Sequence, residues 1–145
     1  MLSKVKSCGL LGIDGYIISV ETDINNGIPS FDIVGLGDTA VKEAKERVRA
    51  AIKNSGLEFP VKKITVNLAP ADLKKEGSSL DLPIAIGILS AVGVISLHSV
   101  GNYLIAGELS LDGEIKPIKG ALSMALCAVQ EGIKNFVLPV DNADE

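Results

Sequence analysis

The chain has 145 residues, and its 14 Lys plus Arg against 18 Asp plus Glu leave a formal net charge of −4. With 47% hydrophobic and 22% charged residues, it has the composition of one globular domain able to bury a core without cross-links, which excludes a disordered chain. The acidic balance argues against a stand-alone nucleic-acid binder, and 3% aromatics with no Trp argue against a base-stacking platform.

The opening MLSKVKSCGLLG lacks the apolar run of a signal peptide. Residues 4–24 read as two strands around a turn at Gly12 to Gly15, with Tyr16, Ile18, Val20 and Thr22 on one face and Ile17, Ser19, Glu21 and Asp23 on the other. A second turn at 25–29 leads to a short strand at 31–35, and the three strands are expected to form a meander. Asp38 is expected to cap a helix ending near Gly56, with Val41, Ala44, Val48 and Ile52 as its apolar stripe. Its other face, with Lys42, Glu43, Lys45, Glu46, Arg47, Arg49 and Lys53, reads as solvated.

Residues 60–70 form a proline-bounded strand, and 71–79 a polar loop. The stretch 82–107 has no Asp, Glu, Lys or Arg and is long enough to span a membrane. Pro83, Gly87 and Gly93, then the polar break with Ser96, His98, Ser99, Gly101 and Asn102, instead divide it into a buried helix over 82–94 and a strand over 103–109. The expected compartment is the cytoplasm, with no membrane partner. A turn at 110–113, a short return strand, a helix over 120–132 carrying Leu122, Ala125 and Val129 on one face, and a strand at 135–139 complete the order. Hairpins mixed with helical crossovers predict an α+β fold, with helices packed on a mixed sheet, in one domain over 1–145.

Few residues offer chemistry. Cys8 and Cys127 lie far apart and in no Cys/His cluster, so neither a disulfide framework nor a zinc site is expected. The scattered carboxylates match no metal-ligand loop. There is no GxxxxGK[ST] and no GxGxxG before a helix, and the glycines at 34–38 read as a tight turn and cap. His98 is the only histidine, and nothing orients a serine and a carboxylate around it. Residues 74–81 are the most informative: Ser79 or Asp81 is a helix cap, or Ser79 is a nucleophile that needs a base.

Five stretches then carry a resemblance: LLGIDG (10–15), DTAVKEAKERVRAAIKNSG (38–56), ITVNLAPADLKKEG (64–77), DLPIAIGIL (81–89) and GELSLDGEIKPIKG (107–120). Across essentially the whole chain, they resemble the amino-terminal domain of the YifB/ComM family of magnesium-chelatase-like AAA+ ATPases. The resemblance implies a ribosomal protein S5 domain 2-like fold, similar to the proteolytic domain of Lon peptidases. It implies a AAA+ module downstream that holds ATP and Mg, with no cofactor or metal in this domain. It also implies a homo-oligomeric parent, similar to hexameric motors, whose ComM-type members are linked to DNA branch migration. The partners would be the motor module of the same chain and DNA reached through the parent hexamer.

The Lon likeness bears on 74–81. It places Ser79 at the peptidase nucleophile, but puts Leu122 where the peptidase lysine belongs; Lys119 lies three residues earlier. A proline common in the family is replaced by Ser78. The leading expectation is therefore a non-catalytic accessory domain serving assembly, partner docking or DNA guidance. Its candidate contact surface is Lys42, Lys45, Arg49, Lys53, Lys62, Lys63, Lys74 and Lys75. The alternatives are a serine peptidase using Ser79 with Lys119, and a nucleic-acid-binding module in its own right.

Overall fold

The computed structural model describes residues 1–73, 75, 78–96 and 100–144. Strands β1 (Leu2–Leu11) and β2 (Asp14–Asn25) form a long antiparallel hairpin around Gly12 and Ile13. Gly12 takes φ 63°, the left-handed conformation that so tight a turn requires. Ile18, Val20, Thr22 and Ile24 are buried on one face of β2, in the alternation the sequence predicts.

The expected meander is not formed. Strand β3 (Ser30–Val34) pairs in parallel with β4 (Lys63–Ala69), and β4 lies antiparallel to β2. Helix α1 (Asp38–Asn54) is the reason: a helical crossover returns the chain in the direction of β3, so β4 inserts between β3 and β2. With β5 (Tyr103–Ile105) and β8 (Asn135–Val137), the sheet runs β3-β4-β2-β1-β5-β8. The strand expected over 103–109 is split. Ala106 N–H still donates to Val137 O, at 3.1 Å, but Gly107 turns to the segment before the next helix. Gly107 N–H donates to Ser79 O at 2.9 Å, and Gly107 O accepts from Leu82 N–H at 3.0 Å. Beyond it, β6 (Glu108–Leu109) and β7 (Ile115–Lys116) form a separate hairpin.

Asp38 is the first residue of α1 and not its cap; Gly37 holds the cap position, and Asp38 places its charge at the positive end of the helix dipole. The helix ends as expected. Gly56, at φ 82°, donates to Lys53 O while Leu57 donates to Ile52 O, the paired bonds of a Schellman motif. Ala44, Val48, Ala51 and Ile52 are its buried face. Helix α2 (Asp81–Ala91) is buried nearly all round and lies against β1 and β2, where Ser3 Oγ donates to Gly87 O at 2.7 Å.

Helix α3 (Ala121–Gln130) presents a different face from the one expected. Leu122 and Val129 are exposed, whereas Ala121, Met124, Cys127 and Ala128 are buried. Two apolar stripes compete on this helix, and Gly15 of β2 selects between them: a Cβ there would fall 2.8 Å from Cys127 Cβ, so only a glycine admits the cysteine stripe. Two hydrophobic clusters result. One joins the sheet to α1 and α2 through Val20, Val48, Ile64, Ile84 and Ile88; the other joins β1 and β5 to α3 through Cys8, Leu104 and Met124. The α+β expectation holds, with a six-stranded mixed sheet and three helices among the described residues. No helix among the described residues is long and apolar enough to cross a membrane.

Candidate functional site

The site is built around the entrance to α2. Ser78–Leu80 form a 3-10 turn that runs directly into the helix. Neither Ser79 nor Asp81 caps it: Leu80 occupies the cap position, without a side-chain cap bond. The backbone of this turn is held by its two bonds to Gly107.

Asp81 turns inward instead and is 1% exposed. Arg47 grips its carboxylate with both arms of the guanidinium, Nε to Oδ2 at 2.6 Å and Nη2 to Oδ1 at 3.1 Å, and Leu109 N–H donates to Oδ2 at 3.2 Å. One carboxylate thus ties α1, α2 and β6 together. Burial pushes its pKa up, and the Arg47 fork and the Leu109 N–H offset this only in part. Arg47 is pushed up in turn, chiefly by its hydrogen bond to Asp81. Sequence reasoning put Arg47 on a solvated face. The available signal was Asp81 itself, an acid at the head of a nearly all-apolar helix, which needs a cation from elsewhere in the fold.

Beside this latch lies a cavity of ≈ 520 Å³. Its walls come from the β1–β2 hairpin (Cys8, Leu10, Tyr16, Ile18), the segment before α2 (Lys75, Ser78, Ser79), Glu108 of β6, and the approach to α3 (Ile118, Lys119). The structure therefore brings Ser79 and Lys119 to one cavity. No hydrogen bond joins Ser79 to Lys119 or to Lys75 among the described residues, so neither lysine is engaged as a base. Leu122, which the Lon resemblance would put at the position of the peptidase lysine, is 58% exposed on α3 and is not part of the cavity wall.

Lys75 was expected on a contact surface and is instead 5% exposed, with Nζ donating to Leu73 O at 2.8 Å. Its burial follows from its place at the cavity, which the polar sequence of the loop gave no means to foresee. Lys42, Lys53, Lys62 and Lys63 are exposed. Lys45 and Arg49 are half-buried: Lys45 Nζ lies 6.0 Å from the centre of the Phe31 ring, and Arg49 Cζ lies 5.9 Å and 5.3 Å from Phe31 and Phe59. They pack as cations over an aromatic pair. Lys74 and His98 lie outside the described residues.

Cys8 borders the cavity but is no nucleophile at neutral pH. Burial, with Cys127 beside it, pushes its thiol pKa up to about 12. Both cysteines are free and buried. Among the described residues, no group of three or more His, Cys, Asp or Glu is placed to hold a metal ion.

The family described as subunit ChlI of Mg-chelatase matches residues 20–142. The chain is 47% identical over 144 residues to YifB of Escherichia coli, covering 99% of this chain and 28% of that protein. It is 40% identical over 144 residues to the competence protein ComM of Haemophilus influenzae, again covering 99% of this chain and 28% of the relative. A more distant likeness, 27% over 138 residues, links it to a Lon protease of Geobacter metallireducens, covering 90% of this chain and 16% of the protease. The chain thus spans under a third of the length of the YifB and ComM relatives it matches.

Proposed function

The chain belongs to the family of the Mg-chelatase subunit ChlI, homologous to YifB and ComM, and from that premise we propose that it is a non-catalytic domain of a Mg-chelatase-like AAA+ ATPase, serving assembly, partner docking or DNA guidance. The observation that carries the non-catalytic part is the uncoupled serine. Among the described residues, Ser79 stands in the cavity without a hydrogen bond to either lysine, and Leu122, which the Lon likeness puts at the place of the peptidase base, is exposed. A serine that no base engages through a hydrogen bond is a poor nucleophile. ATP and Mg belong, in this reading, to the motor module of the parent, which would act as a homo-oligomer on DNA in the cytoplasm.

The test compares ATP turnover, hexamer formation and forked-DNA unwinding by the full-length parent with and without residues 1–145. Retained turnover with lost unwinding or lost assembly is the expected result. If unwinding and assembly both survive, the domain has no part in either, and docking alone remains of the proposal.

One observation favours a second reading, a peptidase using Ser79 with Lys119: the two residues share a cavity. A serine-reactive phosphonate separates the readings. Labelling that is lost in Ser79→Ala would establish a reactive serine, and absence of labelling is expected. A nucleic-acid-binding module in its own right would show steeply salt-dependent DNA binding by the isolated chain, which its net charge of −4 disfavours.

A further inference from the structure

Lys75 is the least comfortable residue of the cavity. An ammonium carries three N–H donors, and among the described residues this one is bonded to a single neutral acceptor, Leu73 O. It is 5% exposed and stands in the cavity wall, where its remaining donors face the cavity's contents. Two further donors stand in the same wall, because the hydroxyls of Ser78 and Ser79 make no hydrogen bond among the described residues. Lys119, at the exposed rim, adds a second positive charge. Among the described residues, Glu108 is the one carboxylate lining the cavity and no ion pair joins it to either lysine; its charge acts on Arg47 and Asp81. The rest of the lining is largely apolar, with Leu10, Ile18, Leu80, Ile118 and Met124.

A place with donors and positive charge on apolar walls is complementary to a ligand with an anionic head and an apolar body. Its volume of ≈ 520 Å³ lies within the range of small-ligand sites, roughly 300–1,000 Å³. A phosphate dianion would face apolar wall over much of its surface, whereas a carboxylate presents two acceptors and continues into carbon. We propose that this cavity binds the C-terminal carboxylate of a peptide whose last side chain is apolar, with Lys75 and the Ser78 and Ser79 hydroxyls on the carboxylate and the side chain against Ile18, Ile118 and Met124. The inference deepens the docking part of the proposed function by giving the partner a chemistry. Binding is read on this chain by itself, so its failure is distinct from failure of the motor test.

The experiment titrates the isotope-labelled chain with a short acetylated peptide ending in Leu-Leu, as free acid and as C-terminal amide, following backbone amide resonances at 75, 78–80 and 117–119. Tyrosine fluorescence gives a second readout, since the chain has no Trp and one of its two tyrosines, Tyr16, borders the cavity. The free acid is expected to move these resonances and to bind roughly ten- to a hundredfold more tightly than the amide, the size of a charge-assisted hydrogen bond. Lys75→Met, which keeps the length of the buried stem, is expected to abolish the difference between acid and amide. Lys119→Gln, at the exposed rim, is expected to reduce it in a chain whose core is untouched. Hexanoate identifies the source of the carboxylate: weaker binding than the peptide supports a peptide tail, and equal binding would assign the cavity to a free aliphatic acid and overturn the proposal. Equal binding of acid and amide by the unsubstituted chain, or no response to either at millimolar concentration, would also overturn it.

Discussion

Gly87 and Thr22 meet where α2 lies against β2. A Cβ added at Gly87 would fall 2.7 Å from Thr22 Oγ1, so the helix approaches the sheet more closely than any larger residue permits. Among the described residues, Thr22 Oγ1 is buried there without a hydrogen-bond partner, as are the hydroxyls of Ser7 and Ser90. Thr22→Val keeps the shape and removes the unpaired hydroxyl, and it is expected to raise stability by about 1 kcal/mol in urea denaturation. Gly87→Ala at the same contact is expected to cost roughly 1–3 kcal/mol through overpacking. Cys8 gives a pH dependence. Between 9.0 and about 12 the unfolded chain releases a thiol proton that the folded chain keeps, so stability falls as pH rises through that window. Urea midpoints taken just below 9.0 and midway towards 12 would check this, and Cys8→Ala is expected to flatten the slope.

The Arg47–Asp81 pair is the main polar joint between elements, because α1, α2 and β6 all meet at one carboxylate. Its two halves are unequal. The Arg47 side chain is 23% exposed and can reach water, whereas Asp81 is 1% exposed. Removing the arginine strands a buried charge, and removing the acid does not. Arg47→Leu is therefore expected to destabilise by roughly 3–5 kcal/mol, and Asp81→Asn by less, in thermal or urea unfolding. The sign of the pH response follows from burial. The folded pKa of Asp81 is already raised, and loss of Arg47 raises it further. In the Arg47→Leu chain the folded state therefore takes up the proton first as pH falls towards 3.8, and part of the lost stability returns. A variant that only weakens on acidification would contradict this account.

At the scale of the whole molecule, the sheet is unevenly protected. β2, β4 and β1 occupy its interior, and Val5, Val20, Ile64, Val66 and Leu68 are fully buried there. The β6–β7 hairpin lies outside the main sheet, with Leu111 and Ile115 exposed. Amide hydrogen exchange is expected to be slowest in β2, β4 and α2 and fastest across 110–116, with the remaining elements between. Uniform protection would mean that the hairpin unfolds only with the core.

The sequence by itself determined whatever depends on neighbours along the chain. The Gly12 turn, the alternation along β2, the apolar stripe of α1 and its stop at Gly56 are set by local sterics and short periodicity, and they stand as read. The α+β class followed from hairpins mixed with crossovers. The family was legible because its motifs run in long uninterrupted stretches, which the match over 20–142 bears out. Tertiary structure alone decided what depends on distant partners. It placed β4 between β3 and β2, chose the cysteine stripe of α3 through the gap at Gly15, and drew Arg47 from its charged face to Asp81, 34 residues away. It also took Lys75 out of solvent and set it beside Ser78, Ser79 and Lys119. Periodicity reports how a residue relates to its own helix or strand; which of two faces is covered, and which charge is buried, is fixed by close packing against residues that no local pattern encodes.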